Sequence, residues 1–317
     1  MSTNDPEPSD RANEAGTEEA RRRAVLSQPL TIREFRPLSS SVKVAIAARS
    51  HRGAAQRFND DHYLVVRVGR TQETLATSLS DADVPSRFEE NGYAMLIADG
   101  LGEAGSGSVA SRVALSTIAH CALDQGKWNV RIGPETVAEI RDRAQEYYDR
   151  ADAEVFAKSL TGPLLNGIAT SLTAAYSAGD NLFVVHVGHS RAYLFRRGLL
   201  TLLTRDHTLE RHLASSKGPV AIERRAQDLG HSLTEAIGAD GAAPVVDVEQ
   251  FRLTNADAVL LCTNGLTDMI SDAQIANVLA VPRQPGEQCD ILTDLAKQQG
   301  GEDNVTVVLA QYQVPSS

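Results

Sequence analysis

From Val42 onward the chain carries short apolar, β-branched runs bounded by Gly, Asn and Asp, at 42–48, 63–68, 93–98, 171–177, 182–187, 192–195, 258–262 and 305–312. Runs of this length and composition predict strands. Ala178-Gly179-Asp180-Asn181 and Arg196-Arg197-Gly198 supply tight-turn chemistry between neighbouring runs, which makes those neighbours antiparallel hairpins. Two stretches change period. Val109, Val113, Thr117 and Cys121 fall on one helical stripe between 107 and 124, and Val137, Ile140, Ala144, Tyr147, Ala151 and Val155 step by three and four after Gly133-Pro134. Two further helices are predicted near 271–279, where Ser271 can cap, and over 285–299, ended by Gly300-Gly301. The order of strands, two helices, strands, two helices and a last strand favours antiparallel sheets with helices packed outside them over a doubly wound α/β fold.

Residues 1–40 hold almost no apolar cluster, and their Asp, Glu, Arg and Ser cannot bury enough surface to order the chain. They are read as a disordered tail, with Arg21-Arg22-Arg23 as solvated charge, and 41–315 as a single domain. The tail has no apolar secretory core, and no run approaches the roughly 18 apolar residues of a membrane span, so no membrane association is expected. At 317 residues, 42% hydrophobic and 23% charged, the composition excludes collagen, coiled coil and wholesale disorder. The three widely separated cysteines, Cys121, Cys262 and Cys289, form neither a disulfide framework nor a thiolate metal cluster, and point to a reducing cytoplasm. A formal net charge of −10 argues against a nucleic-acid surface.

That acidic surplus becomes informative where it meets the strands. Asp60-Asp61, Asp99 and Asp303 all stand at ends of predicted strands. Carboxylates converging at the edge of an apolar sheet repel one another and are costly to desolvate, so such a group needs a cation. Hard oxygen donors with no His or Cys among them select Mg or Mn over Zn. At Asp99 an apolar strand runs straight into Asp-Gly, and Gly100 lets the backbone carbonyl come close to an ion. One aspartate there can bridge two metals that activate a shared water for attack on phosphorus, which predicts phosphoester hydrolysis. His51 and His62 flank the acidic motif, where either can shuttle a proton or serve structure.

Several ordered motifs from 42 to 312 resemble the metal-dependent protein serine/threonine phosphatases of type 2C, in a bacterial form. They are Ser50-His51-Arg52-Gly53 leading to Asn59-Asp60-Asp61, then Ala98-Asp99-Gly100-Leu101-Gly102, Thr170-Ser171-Leu172-Thr173-Ala174 and Val187-Gly188-His189-Ser190-Arg191-Ala192-Tyr193. Thr204-Arg205-Asp206-His207-Thr208, Leu261-Cys262-Thr263-Asn264-Gly265-Leu266-Thr267-Asp268 and Gly301-Glu302-Asp303-Asn304-Val305-Thr306 follow. The resemblance implies an α+β fold, a four-layer αββα sandwich of two antiparallel sheets packed face to face and flanked by helices. It implies two Mg or Mn ions per chain, with Asp61, Asp99, the Gly100 carbonyl, Asp303 and position 264 as ligands and Asp60 beside them. A metal-activated water would attack phosphorus directly, without a phospho-enzyme, in a phosphorylated protein substrate of a Ser/Thr kinase. A cytoplasmic monomer is expected.

Three positions depart from the family pattern. Asn264 stands where the family has a ligand Asp, so one metal loses a charged donor. Gln56 stands where the family keeps a phosphate-binding arginine, which leaves Arg57, one residue along, as the candidate. His189 replaces an Asp that serves an additional metal, so that third site is expected to be absent or altered. A weakened or inactive phosphatase-like domain that binds phosphoprotein is therefore the alternative reading. Gly100-Leu101-Gly102-Glu103-Ala104-Gly105 is also a formal dinucleotide-binding motif with Asp124 downstream, but it lacks an alternating βα context. His207, Glu210 and His212 read as solvated surface, Ser171 and Ser190 lack a His-Asp partner order, and Lys217-Gly218 falls in what resembles the family's flap.

Overall fold

The computed structural model describes residues 38–80, 83–124, 134–209, 233–239 and 243–315. The predicted tail, apart from its last residues, and the predicted flap around Lys217 and Gly218 lie outside these, as do Glu210, His212 and Trp128. Within the described residues the elements run β1 (Lys43–His51), β2 (Asp61–Glu73), β3 (Arg87–Leu101), α1 (Gly107–Asp124), α2 (Pro134–Ser159), β4 (Ala169–Ala178), β5 (Asn181–Val187), β6 (Arg191–Arg196) and β7 (Leu199–Leu202). Then come β8 (Asp247–Arg252), β9 (Ala258–Cys262), α3 (Asn264–Thr267), α4 (Asp272–Ala280), α5 (Pro285–Gln298) and β10 (Val305–Gln313). By contacts, Glu73–Phe88 groups apart from the main unit, Pro37–Gln72 with Glu89–Ser317. Inside the smaller unit, Thr74 donates its backbone N–H to Ser86 O at 2.9 Å and its hydroxyl to Pro85 O at 2.8 Å.

The main unit contains two five-stranded antiparallel sheets, ordered β1-β10-β9-β6-β7 and β2-β3-β4-β5-β8. All eight predicted strands are present. The predicted turns close β4–β5, with Ala178 opposite Asn181, and β6–β7, with Arg196 opposite Leu199. Three apolar layers follow from strand alternation, because successive side chains point to opposite faces. Met95, Ile97, Leu182 and Val184 of one sheet meet Val259, Leu261, Val308 and Ala310 of the other. The outer face of the β1-containing sheet packs Leu260, Val307 and Leu309 on Ile275, Leu292 and Ala296 of α4 and α5. That of the second sheet packs Leu96, Leu172 and Val185 on Ala110, Ala114, Ala151 and Val155 of α1 and α2. The result is the α+β sandwich in four layers. Since β3 and β4 are antiparallel neighbours joined through α1 and α2, the glycine motif at 100–105 has no parallel βαβ unit around it, and the dinucleotide reading fails.

Two details differ from the periodicity. The deepest face of α1 is Ala110, Ala114, Leu115 and Ile118, rotated by one position from the predicted stripe. Small alanines let the helix axis approach the sheet, while Val109 and Val113 pack at the margin. Ser271 does cap α4, in a reciprocal capping box with Gln274.

Candidate active site

Asp61 opens β2, Asp99 lies near the end of β3, and Asp303 and Asn304 precede β10, so three chain segments deliver carboxylates to one end of the sandwich. Their proximity shows in mutual electrostatics. Asp99 is buried, and its carboxyl is pushed well above the usual range, first by desolvation and then by the charges of Asp61, Asp303, Asp268 and Asp60. Burial also raises Asp61, opposed by hydrogen bonds from Thr306 and Thr263, with Asp303 and Asp60 pushing it further up.

The hydrogen bonds explain how the sheet edge holds these charges. Thr263 Oγ1 donates to Asp61 Oδ2 at 2.9 Å, joining residues 202 apart in sequence, and accepts from Thr306 N at 3.0 Å. Asn304 is the hub. Its Oδ1 accepts from Asp60 N at 2.7 Å, and its Nδ2 donates to Arg52 O at 2.8 Å and Phe58 O at 2.9 Å. One buried carboxamide thereby ties the Asn59-Asp60-Asp61 loop to the loop carrying Asp303. Gly53 makes this possible: at φ +82° it lies so close to Asp303 O that a Cβ would stand 2.2 Å away.

Asp60 differs from its neighbour. Its Oδ1 accepts from Ser108 N at 3.1 Å and its backbone O from Ser111 Oγ at 2.6 Å, so it binds the first turn of α1. Desolvation raises its pKa and the Ser108 bond opposes this. Gly100 and Gly107 pass within contact there, a Cβ on Gly107 standing 2.4 Å from Gly100 O. Because Ser111 Oγ spends its proton on Asp60 O, His62 Nδ1, 2.9 Å away, is the donor to Ser111 and Nε2 is left as the acceptor. Burial lowers the His62 pKa, and Arg112 adds to this.

Asn264 begins α3, with Nδ2 donating to Asp268 Oδ2 at 3.2 Å. Among the described residues, Asn264 Oδ1 and Asp61 Oδ1 are buried acceptors without a hydrogen-bond donor. Buried oxygens in that state are costly and fit a cation. Among the described residues no group of three or more His, Cys, Asp or Glu side chains is arranged to hold a metal ion. Their oxygens turn to nearby N–H and O–H groups, as Asp303 Oδ1 does to Asn304 N at 2.7 Å.

The candidate Arg57 is exposed, its guanidinium 5.3 Å above the Phe58 ring, and Gln56 donates to Glu302 O at 3.2 Å. His189 Nε2 lies 3.7 Å from Asp99 Oδ2. Sequence reasoning missed Thr263, Asn304, Ser111 and Asp268 as members of the site. For Thr263, Asp268 and Asn304 the signal was present in the motifs at 261–268 and 301–306, whereas Ser111 lies in no such motif. It also misplaced His207, which is no solvated surface residue: its ring lies 4.9 Å from buried His186, Gly188 N donates to its Nδ1 at 3.3 Å, and its Nε2 stands 3.2 Å from Asp247 Oδ2.

The model of the protein phosphatase 2C family matches residues 69–298, well over half of the chain. The chain belongs to that family. The chain is 29% identical over 223 residues to serine/threonine phosphatase stp of Listeria monocytogenes, covering 70% of this chain and 86% of that protein. It is 31% identical over 231 residues to the serine/threonine protein phosphatase PstP of Mycobacterium tuberculosis, covering 72% of this chain and 42% of that longer protein. A crystal structure of the PstP catalytic domain in complex with two manganese ions superposes with a TM-score of 0.64 at 29% identity, over 86% of this chain and 99% of that one. The match of the family model begins beyond Asp60 and Asp61 and ends before Asp303 and Asn304.

Proposed function

We propose that this protein phosphatase hydrolyses phosphoserine and phosphothreonine in proteins, using two Mg or Mn ions at the acidic end of the sandwich. The observation that carries it is the cluster itself: burial and neighbouring carboxylates push the buried Asp61 and Asp99 carboxyls up, and Asp61 Oδ1 and Asn264 Oδ1 have no donor among the described residues. Asp61, Asp99, the Gly100 carbonyl, Asp303 and Asn264 would hold the ions. When bound, the cations supply the charge that receives a phosphate dianion and acidify the attacking water.

The chain's own residues do the positioning. Asn304 holds the loop that presents Asp61, and Asp60 locks that loop to the N-terminus of α1. Arg57 stands on Phe58 as the cation that steadies the phosphate. His62 exchanges a proton at Nε2, because Nδ1 is engaged with Ser111. Asn264 is neutral where a carboxylate would carry charge, which favours weaker binding of one ion and slower turnover.

Residues 41–315 would form the one catalytic domain. The substrates would be products of a Ser/Thr kinase, met in the cytoplasm by a monomer. Among the described residues no helix is long and apolar enough to cross a membrane. Phosphate release from a phosphothreonine peptide, measured with Mn and with chelator, tests the proposal. Release that persists in chelator, or survives Asp99→Ala, overturns it.

A further inference from the structure

On the outer face of the second sheet, where none of the site carboxylates lines the wall, the α1–α2 pair does not fill the space above its strands. Alanines line it from both helices and a strand, at Ala122, Ala144 and Ala174, around a half-open cavity of about 150 Å³. Its walls are almost wholly hydrocarbon, from Leu96, Ile118, Phe183 and Val185 with the rings of Tyr147 and Tyr176. Two of the polar groups at its margin are engaged with protein partners. Tyr148 Oη donates to Val185 O at 3.1 Å, and Arg143 Nη2 donates to Glu139 Oε1 at 2.6 Å. Water gains few hydrogen bonds in such a place, and an apolar cavity of this size accepts a benzene-sized guest. Four aromatic residues, Tyr147, Tyr148, Tyr176 and Phe183, line it, and aromatic pairs gain from stacked or edge-to-face contact beyond the area they bury.

We propose that this cavity is a binding site for a small, uncharged aromatic molecule of one or two fused rings. The mainly hydrocarbon wall sets the class: a charged or strongly polar guest would lose hydration there with little replacement. The site is separate from the carboxylate cluster and does not depend on the phosphatase reading.

Toluene and indole are the probes, titrated into the full-length chain while methyl NMR signals of Leu96, Ile118 and Val185 and the melting temperature are followed. Both probes are expected to move those methyls saturably and to raise the melting temperature. Ala144→Leu and Ala174→Leu each place extra carbon in the cavity from opposite walls, and each should weaken binding by about tenfold or more. Should one of them fail to fold, the other carries the comparison. Unmoved methyls up to the solubility limit of both probes, or unchanged affinity in a folded filled variant, would overturn the proposal.

Discussion

Two buried polar clusters sit in this one sandwich, and they are built on opposite terms. Around His186 every group closes on another: Nδ1 meets Thr173 Oγ1 at 2.8 Å, Nε2 meets Gly188 O at 3.1 Å and Arg205 O at 3.0 Å, and Ser171 and Ser190 share a bond of 2.6 Å. Around Asp99 charges of one sign are gathered, and two oxygens have no donor among the described residues. A closed network needs nothing more and gives the fold its register. An acidic cluster left open at cost to stability belongs to chemistry.

The sharpest break of this contrast is Asp99→Asn. Phosphate release should fall by about 10²–10³ at saturating Mn, since transition-state charge stabilisation of this kind is worth that much. A fall of less than tenfold in steady-state assays would place Asp99 outside the reaction. His186→Leu should do the reverse: activity per folded molecule unchanged, and stability lower by about 2–4 kcal/mol, because Thr173, Gly188 and Arg205 lose a partner inside the protein. Urea titration reads this directly.

The same variant carries a pH signature. Burial, with His207 nearby, lowers the His186 pKa to about 3, so the folded protein keeps it neutral where the unfolded chain, near 6.5, takes a proton. The unfolded state binds more protons between those values, so stability is full above pH 6.5 and declines as pH falls toward 3. His186→Leu should lose that part of the acid limb, seen as a smaller difference between urea midpoints at pH 7.5 and pH 5.

Asn264→Asp adds a charged donor to the open cluster, and the Mn concentration for half-maximal activity should drop by about tenfold. An unchanged Mn requirement would mean that position 264 does not face an ion. The smallest effect is on stability in chelator, where Asp99→Asn should melt higher than wild type by about 1–3 kcal/mol of relieved desolvation.

Much of this was legible along the chain. The strands at 93–98 and 305–312, the helix from Gly107 and the Ser271 cap are signals of period and local hydrogen bonding, readable within a few residues. The two strands that were not read, β7 and β8, are both sheet edges. Asp247–Arg252 carries Asp, Glu, Gln and Arg, the polar dress of an edge, so its composition does not announce a strand. His207 read as surface for a related reason: nothing near it in sequence tells that β5 and β8 bring His186 and Asp247 against it.

The alternation of apolar and polar positions, hence antiparallel sheets with helices outside, and the motifs that place an aspartate at the ends of β2, β3 and β10 are written in the chain itself. Folding settles which of these carboxylates share a field, that Asn304 and Thr263 hold them there, that Asp60 is drawn to α1, and that three alanines on separate elements line a cavity. Periodicity acts through bonds between near neighbours in the chain. Charge coupling, desolvation and packing act through space, between residues that meet only when the sheets close.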